Sequence, residues 1–261
     1  MMDLNHEIKQ LEAVHREGSD KVFTMYLNTD PSDPEQQGGE WKIQFKNGMR
    51  NFEQYLEEAN NKEELKSFQL VKQKVEKFIR GNEQEFRKGV IVFATADEEV
   101  WFAARVQLRL ETAFFWQETP VLDQVKKLKK DYPKAGIILV QQNEVKFIES
   151  YLNEINETKS FELDLETDNW REKTAMGPGN PSIQKDNLQS RYEANKHRWY
   201  KKIAPMLDKH AKNNDWEKIY VIGEPGSSQS LAEQMNKSID RIIQKNMLDH
   251  EESKILQEVF G

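Results

Sequence analysis

Several things are scarce in this 261-residue sequence, and each absence removes a class of chemistry. There is no cysteine, which excludes disulfides, thiolate metal sites and cysteine nucleophiles. No apolar run approaches the roughly 18 residues needed to cross a bilayer. The opening MMDLNHEIKQLEAVHREG has no apolar signal-peptide centre, so a cytoplasmic protein without a membrane partner is expected. The five histidines (His6, His15, His197, His210, His250) form no HExxH or other metal spacing, and neither a metal nor a cofactor is expected. A GxSxG nucleophile elbow is missing too. Positive charge is in deficit: the net charge is -7, which argues against wholesale coating of nucleic acid, DNA included, while leaving room for a local basic surface.

What is present is a chain long enough for one large domain or two ordinary ones, 37% hydrophobic and 32% charged, so able to bury a core. Leu4, Ile8, Leu11 and Val14 mark an amphipathic helix closed by Gly18. Residues 21–27 (KVFTMYL) read as a strand, and 28–39 as a polar loop. Helices follow over about 40–59, with Trp41, Phe45, Met49, Phe52 and Leu56 on one face, and 62–80. Residues 88–95 (KGVIVFAT) have the continuous apolar character of a central strand. Residues 99–104, 106–110 and 113–116 read as its neighbours, and 120–131 as a helix bearing Lys126, Lys127, Lys129 and Lys130. The ordinary reading of those lysines is a solvated face.

Beyond Pro133 the pattern restarts. Residues 135–140, 145–151 and 160–165 read as three strands, with turns at 141–144 and 152–159. After the stretch 174–204 come a strand (218–222), a loop (223–227), a helix (229–236), a strand (239–244) and a helix (250–260). The expected fold is therefore α/β in two α/β domains, 1–130 and 131–261.

The stretch 174–204, TAMGPGNPSIQKDNLQSRYEANKHRWYKKIA, organises the second of these. Gly177, Pro178, Gly179, Asn180 and Pro181 are turn formers, and after Gln184 the turn signals stop. Leu188, Tyr192, Trp199, Ile203 and Met206 give the following helix one apolar face. Lys185, Arg191, Lys196, Arg198, Lys201 and Lys202 against Asp186 and Glu193 leave it +4. A loop feeding a basic helix suits a long anionic partner; a solvated helix after an ordinary loop is the plain alternative. Other features have equally plain readings. Gly223-Glu224-Pro225-Gly226 could offer amides to a phosphate but reads as a strand-to-helix loop, with Ser230-x-x-Glu233 a possible capping box. Gly38-Gly39 before Trp41 permits a tight helix start. Asp164 and Glu166 are the one strand-end carboxylate pair for a metal-dependent nuclease.

Taken together, Tyr26-Leu27-Asn28-Thr29-Asp30-Pro31, 41–48 (WKIQFKNG), 88–95, 131–151 (DYPKAGIILVQQNEVKFIESY), 191–204 (RYEANKHRWYKKIA) and 218–223 resemble the archaeo-eukaryotic class 1 peptide chain release factors. The likeness is closer to their short bacterial relatives, a group related to the Vms-type ribosome-rescue peptidyl-tRNA hydrolases. It implies an RNase H-like central domain over about 132–261, and the absence of the family's third, GTPase-recruiting domain. By the same resemblance, 174–184 corresponds to the catalytic loop, with Gln184 placing a water at the peptidyl-tRNA ester and Gly177 and Gly179 as loop glycines. Lys185, Arg191, Lys196, His197, Arg198, Lys201 and Lys202 would meet RNA. The implied partners are the A site of the ribosome's large subunit, rRNA and peptidyl-tRNA, approached by a monomer. The loop departs from the family's Gly-Gly-Gln, because Ser182 and Ile183 precede Gln184. A non-catalytic A-site factor is therefore the rival expectation. No stop-codon-reading tetrapeptide occurs in the first domain, which argues against codon-specific termination.

Overall fold

The structure is a computed structural model that describes residues 4–36, 38–173 and 185–261. It forms two compact units, the first ending at Lys130 and the second beginning at Asp131. Among the described residues no helix is long and apolar enough to cross a membrane.

In the first unit the elements are α1 (Leu4–Glu12), β1 (Val22–Asn28), α2 (Glu40–Glu58), α3 (Lys62–Asn82), β2 (Gly89–Ala94), β3 (Trp101–Val106), β4 (Ala113–Gln117) and α4 (Asp123–Asp131). The four strands make an antiparallel sheet of order β3-β2-β1-β4. Alternation in β1 sends Phe23, Met25 and Leu27 into one cluster with Trp41, Phe45 and Met49 of α2 and Phe68, Val71 and Val75 of α3. Helix α2 begins after Gly38 and Gly39, whose φ values of 89° and 85° favour glycine, as the structural reading of that pair requires. Asn61 caps α3 by accepting the Glu64 N–H, while its amide donates back to the Glu64 carboxylate.

Three expectations fail here. Helix α1 ends at Glu12, so Val14 and Gly18 lie beyond it and Gly18 does not close it. Residues 106–110 are not a strand: β3 ends at Val106, and the alternation beyond it reports burial of Leu108 and Leu110 without a ladder partner. Leu110 lies where a Cβ on Gly89 would stand, 2.7 Å from that point. Helix α4 starts at Asp123 rather than Pro120, because the backbone of Val121 is already engaged. Its carbonyl accepts from Tyr26 Oη (2.6 Å) and its N–H donates to Thr24 Oγ1 (3.2 Å).

The second unit contains β5 (Ala135–Gln141), β6 (Glu144–Tyr151), β7 (Glu154–Asp164), β8 (Asn169–Glu172), α5 (Lys185–Asn213), β9 (Lys218–Gly223), α6 (Pro225–Ala232), β10 (Arg241–Ile243) and α7 (Glu252–Phe260). Its sheet has the order β10-β9-β5-β6-β7-β8. Strands β5 to β8 are antiparallel, whereas β9 and β10 run parallel to β5. A meander with two crossover strands beside its first member is the RNase H-like arrangement, here with β8 added at the edge. Helices cover both faces. Trp199, Tyr200, Ile203 and Leu207 of α5 join Ile138, Phe147 and Val221, while Ile255, Leu256 and Val259 of α7 join Ile137, Leu139 and Ile222.

The differences from expectation have local causes. The β6–β7 turn is only Leu152–Asn153, both at positive φ (50° and 60°), so β7 begins at Glu154 instead of after a long loop. Strand β8 escapes pattern reading because only four residues pair, three of them polar or charged. Helix α6 starts at Pro225, not Gln229, since the amides of Ser227 and Ser228 donate to the Glu224 carbonyl. Ser230 consequently lies inside α6, buried, and makes no capping box.

Candidate nucleic-acid interface

Helix α5 is held to the sheet by a row of aromatic side chains. Trp199 and Tyr200 are fully buried, and Tyr192 nearly so. Each also has a polar tie. Tyr200 Oη donates to the Gln142 carbonyl (2.9 Å), and Tyr192 Oη shares a hydrogen bond with Ser227 Oγ (2.8 Å). Trp199 Nε1 donates to Asp168 Oδ1 (3.0 Å), and Trp170 Nε1 donates to the Trp199 carbonyl (2.9 Å). Burial pushes the Tyr200 hydroxyl well above the ordinary tyrosine range. The Gln142 amide donates to Gln189 Oε1 (2.6 Å), which fastens the first turns of α5 to the β5–β6 turn.

The basic residues divide into two groups. Asp168, at the β7–β8 turn with φ 59°, collects three neighbours from α5. Besides Trp199, its carboxylate pairs with Arg198 (2.6 Å), and its carbonyl accepts from Lys202 Nζ (2.5 Å). Arg191 donates to the Leu165 carbonyl (2.5 Å). Lys196 pairs with Glu193 (2.9 Å) and lies over the Tyr192 ring, and the Glu193 hydrogen bond raises its pKa. These four cations belong partly to the fold. Exposed His197 and Lys201 have no ion-pair partner among the described residues.

Lys185 opens α5, and its side chain lies outside the described ones. Gln184, Gly177 and Gly179, assigned to the loop 174–184, also lie outside the described residues. The structure brings Arg191, Lys196, His197, Arg198, Lys201 and Lys202 onto one helix. It adds two cations that the sequence reading left out. Helix α5 continues through Pro205 to Asn213, so exposed Lys209 and Lys212 extend the row. Pro205 does not end the helix. Its solvent-facing position leaves only the Lys201 carbonyl without its intrahelical N–H, and water can satisfy it. With a rise of 1.5 Å per residue, Lys201 to Lys212 spans about 16 Å, the reach of several backbone phosphates.

The carboxylate pair is differently employed. Asp164 accepts from the amides of Glu166 (3.0 Å) and Thr167 (3.4 Å), and the first of these holds its carboxyl below the usual range. It serves the β7–β8 turn, and among the described residues no group of three or more His, Asp or Glu is placed to hold a metal.

An RNase H-like sheet carrying a long basic helix between β8 and β9 defines a release-factor-like central domain. The family model for bacterial archaeo-eukaryotic release factor family 5 matches residues 133–261, and the chain belongs to this family. Its similarity to the uncharacterized protein YocB of Bacillus subtilis (strain 168) is 34% identity over 259 residues, 99% of each chain. Two solved structures align over 98% of this chain and 72% of theirs, each with a TM-score of 0.34. They are an archaeal protein at 10% identity and the archaeal translation termination factor aRF1 at 11%. Family membership makes the role of this chain translation-related.

Proposed function

We propose that this protein binds the ribosome and hydrolyses peptidyl-tRNA on stalled complexes without reading a codon. It would enter the ribosomal A site as a cytoplasmic monomer and carry residues 174–184 to the peptidyl-transferase centre. Gln184 would place the attacking water, with Gly177 and Gly179 allowing close approach to the tRNA end. The observation that carries this reading is the row of exposed cations on α5, directly after residues 174–184, in a release-factor family member. His197, Lys201, Lys209 and Lys212 would meet rRNA or tRNA phosphates first. Arg198, half-exposed in its pair with Asp168, would exchange that carboxylate for a phosphate.

A second reading has its own observation. Ser182 and Ile183 stand where a Gly-Gly pair would precede the glutamine, and β-branched Ile183 disfavours positive φ. On that reading the protein occupies the A site of idle ribosomes without chemistry. Release of a labelled peptide from stalled ribosome–peptidyl-tRNA complexes separates the two. Release that falls at least about tenfold in Gln184→Ala, a barrier rise of about 1.4 kcal/mol, supports the hydrolase. Binding without release, in wild type and variant alike, supports the binder.

A further inference from the structure

Helix α4, in the first unit, carries the largest cluster of positive charge not absorbed by α5. Lys126 pairs with Glu12 (2.6 Å). Lys127, Lys129 and Lys130 have no ion-pair partner among the described residues, whereas Lys21 and Lys88 of the same unit pair with Glu64 and Asp30. We propose that α4 is a second phosphate-contacting surface, on which Lys127, Lys129 and Lys130 meet the backbone of structured ribosomal RNA. The proposal rests on the ribosome reading above, because it takes rRNA as the occupant.

The helix is oriented by its apolar residues: Val125 and Leu128 are buried, which turns Lys127 and Lys130 outward. One turn apart, those two have Cβ atoms roughly 5–6 Å from each other, so their flexible side chains can reach consecutive phosphates. No ion pair among the described residues neutralises Lys127, Lys129 or Lys130, and they outnumber Asp123 and Asp131 of the same helix, so on a chain of net charge -7 a repeated anion is their electrostatic complement. An RNA is favoured over an anionic membrane because the outer face of α4 bears no large apolar side chain. A helix lying in a lipid surface needs one. Helix-end electrostatics also accounts for lysines in a last turn, but that role predicts a change in stability and none in salt dependence.

The test uses the full chain and purified 70S ribosomes, with binding followed by sedimentation across a potassium chloride series. The triple variant Lys127→Gln, Lys129→Gln, Lys130→Gln is compared with wild type and with Lys201→Gln, Lys209→Gln, Lys212→Gln. The α4 variant is expected to flatten the slope of log affinity against log salt by about 2, since each lost phosphate contact removes roughly 0.7–0.9. Its thermal unfolding should stay unchanged. An unchanged slope in the α4 variant beside a flattened one in the α5 variant overturns the α4 surface and leaves the ribosome reading standing. No ribosome binding by wild type overturns both. Wild-type binding to phosphatidylglycerol vesicles that the α4 variant loses, with ribosome binding intact, also overturns it and assigns the surface to lipid.

Discussion

Two lysine-rich helices, one in each unit, differ in where their charge goes. Of the described α5 cations, Arg191, Lys196, Arg198 and Lys202 are tied to carbonyls or carboxylates, and Asp168 alone engages two of them. On α4 a single lysine of four is paired. The contrast follows from depth of docking. Helix α5 lies across the centre of a six-stranded sheet with the β7–β8 turn folded beside it, so its cations find backbone oxygens within reach. Helix α4 is nine residues long and presents two buried apolar side chains, leaving Lys127 and Lys130 to solvent and Lys129 half-buried. A count of positive residues therefore overstates the free charge of α5 and reports that of α4 more faithfully.

The largest test of this contrast is Trp199→Ala. It removes a fully buried indole and its hydrogen bond to Asp168, and should cost about 3–5 kcal/mol in urea unfolding. Leu128→Ala on α4 should cost about 2–3 kcal/mol, near the low end of such truncations. Equal losses would erase the difference in anchoring. Next in size, Asp168→Ala should destabilise by about 1–3 kcal/mol, because Trp199 Nε1 loses its acceptor. The same change releases Arg198, so ribosome binding should become more salt-sensitive by about one unit of slope. An unchanged slope would mean that Arg198 contributes nothing to the interface.

Smaller still is the effect of replacing Lys201, Lys209 and Lys212 with glutamine. These exposed side chains should leave unfolding within about 0.5 kcal/mol of wild type. Alkaline titration gives the finest comparison. Burial raises the hydroxyl pKa of Tyr26 in the first unit and Tyr200 in the second, so each contributes stability present below the unfolded tyrosine value near 10. That stability is lost as the pH rises above this value. Ultraviolet titration should show both ionising only as the protein unfolds. Tyr200→Phe should remove one late step, and normal ionisation of Tyr200 in the folded protein would contradict its burial.

Much of the fold was legible because apolar period and turn residues agree along most of the chain. The β-branched and aromatic run of β1 and the continuous apolar run of β2 each specify a strand, buried on both faces, and the aromatic face of α5 specifies a helix and its buried side. What escaped was set by tertiary partners. Leu152 takes a left-handed turn position that its residue type disfavours, and β8 is short and mostly polar. Pro205 lies inside α5, on the solvent side of a helix held at Trp199, Tyr200 and Leu207, so the helix runs on to Lys209 and Lys212. The candidate interface was legible as a run of basic residues. Its division into tied and free cations was not, apart from the Glu193–Lys196 pair three residues apart on one helix, since it depends on Asp168 and Leu165, which no charge pattern links to particular lysines or arginines.

The most direct measurement is the affinity of wild type and the Lys201→Gln, Lys209→Gln, Lys212→Gln variant for purified ribosomes over roughly 50 to 300 mM potassium chloride. A cationic interface on α5 predicts that wild-type affinity falls steeply with salt and that the variant loses about two units of slope while remaining folded. Wild-type affinity flat across the series, or a variant with the wild-type slope, would contradict it.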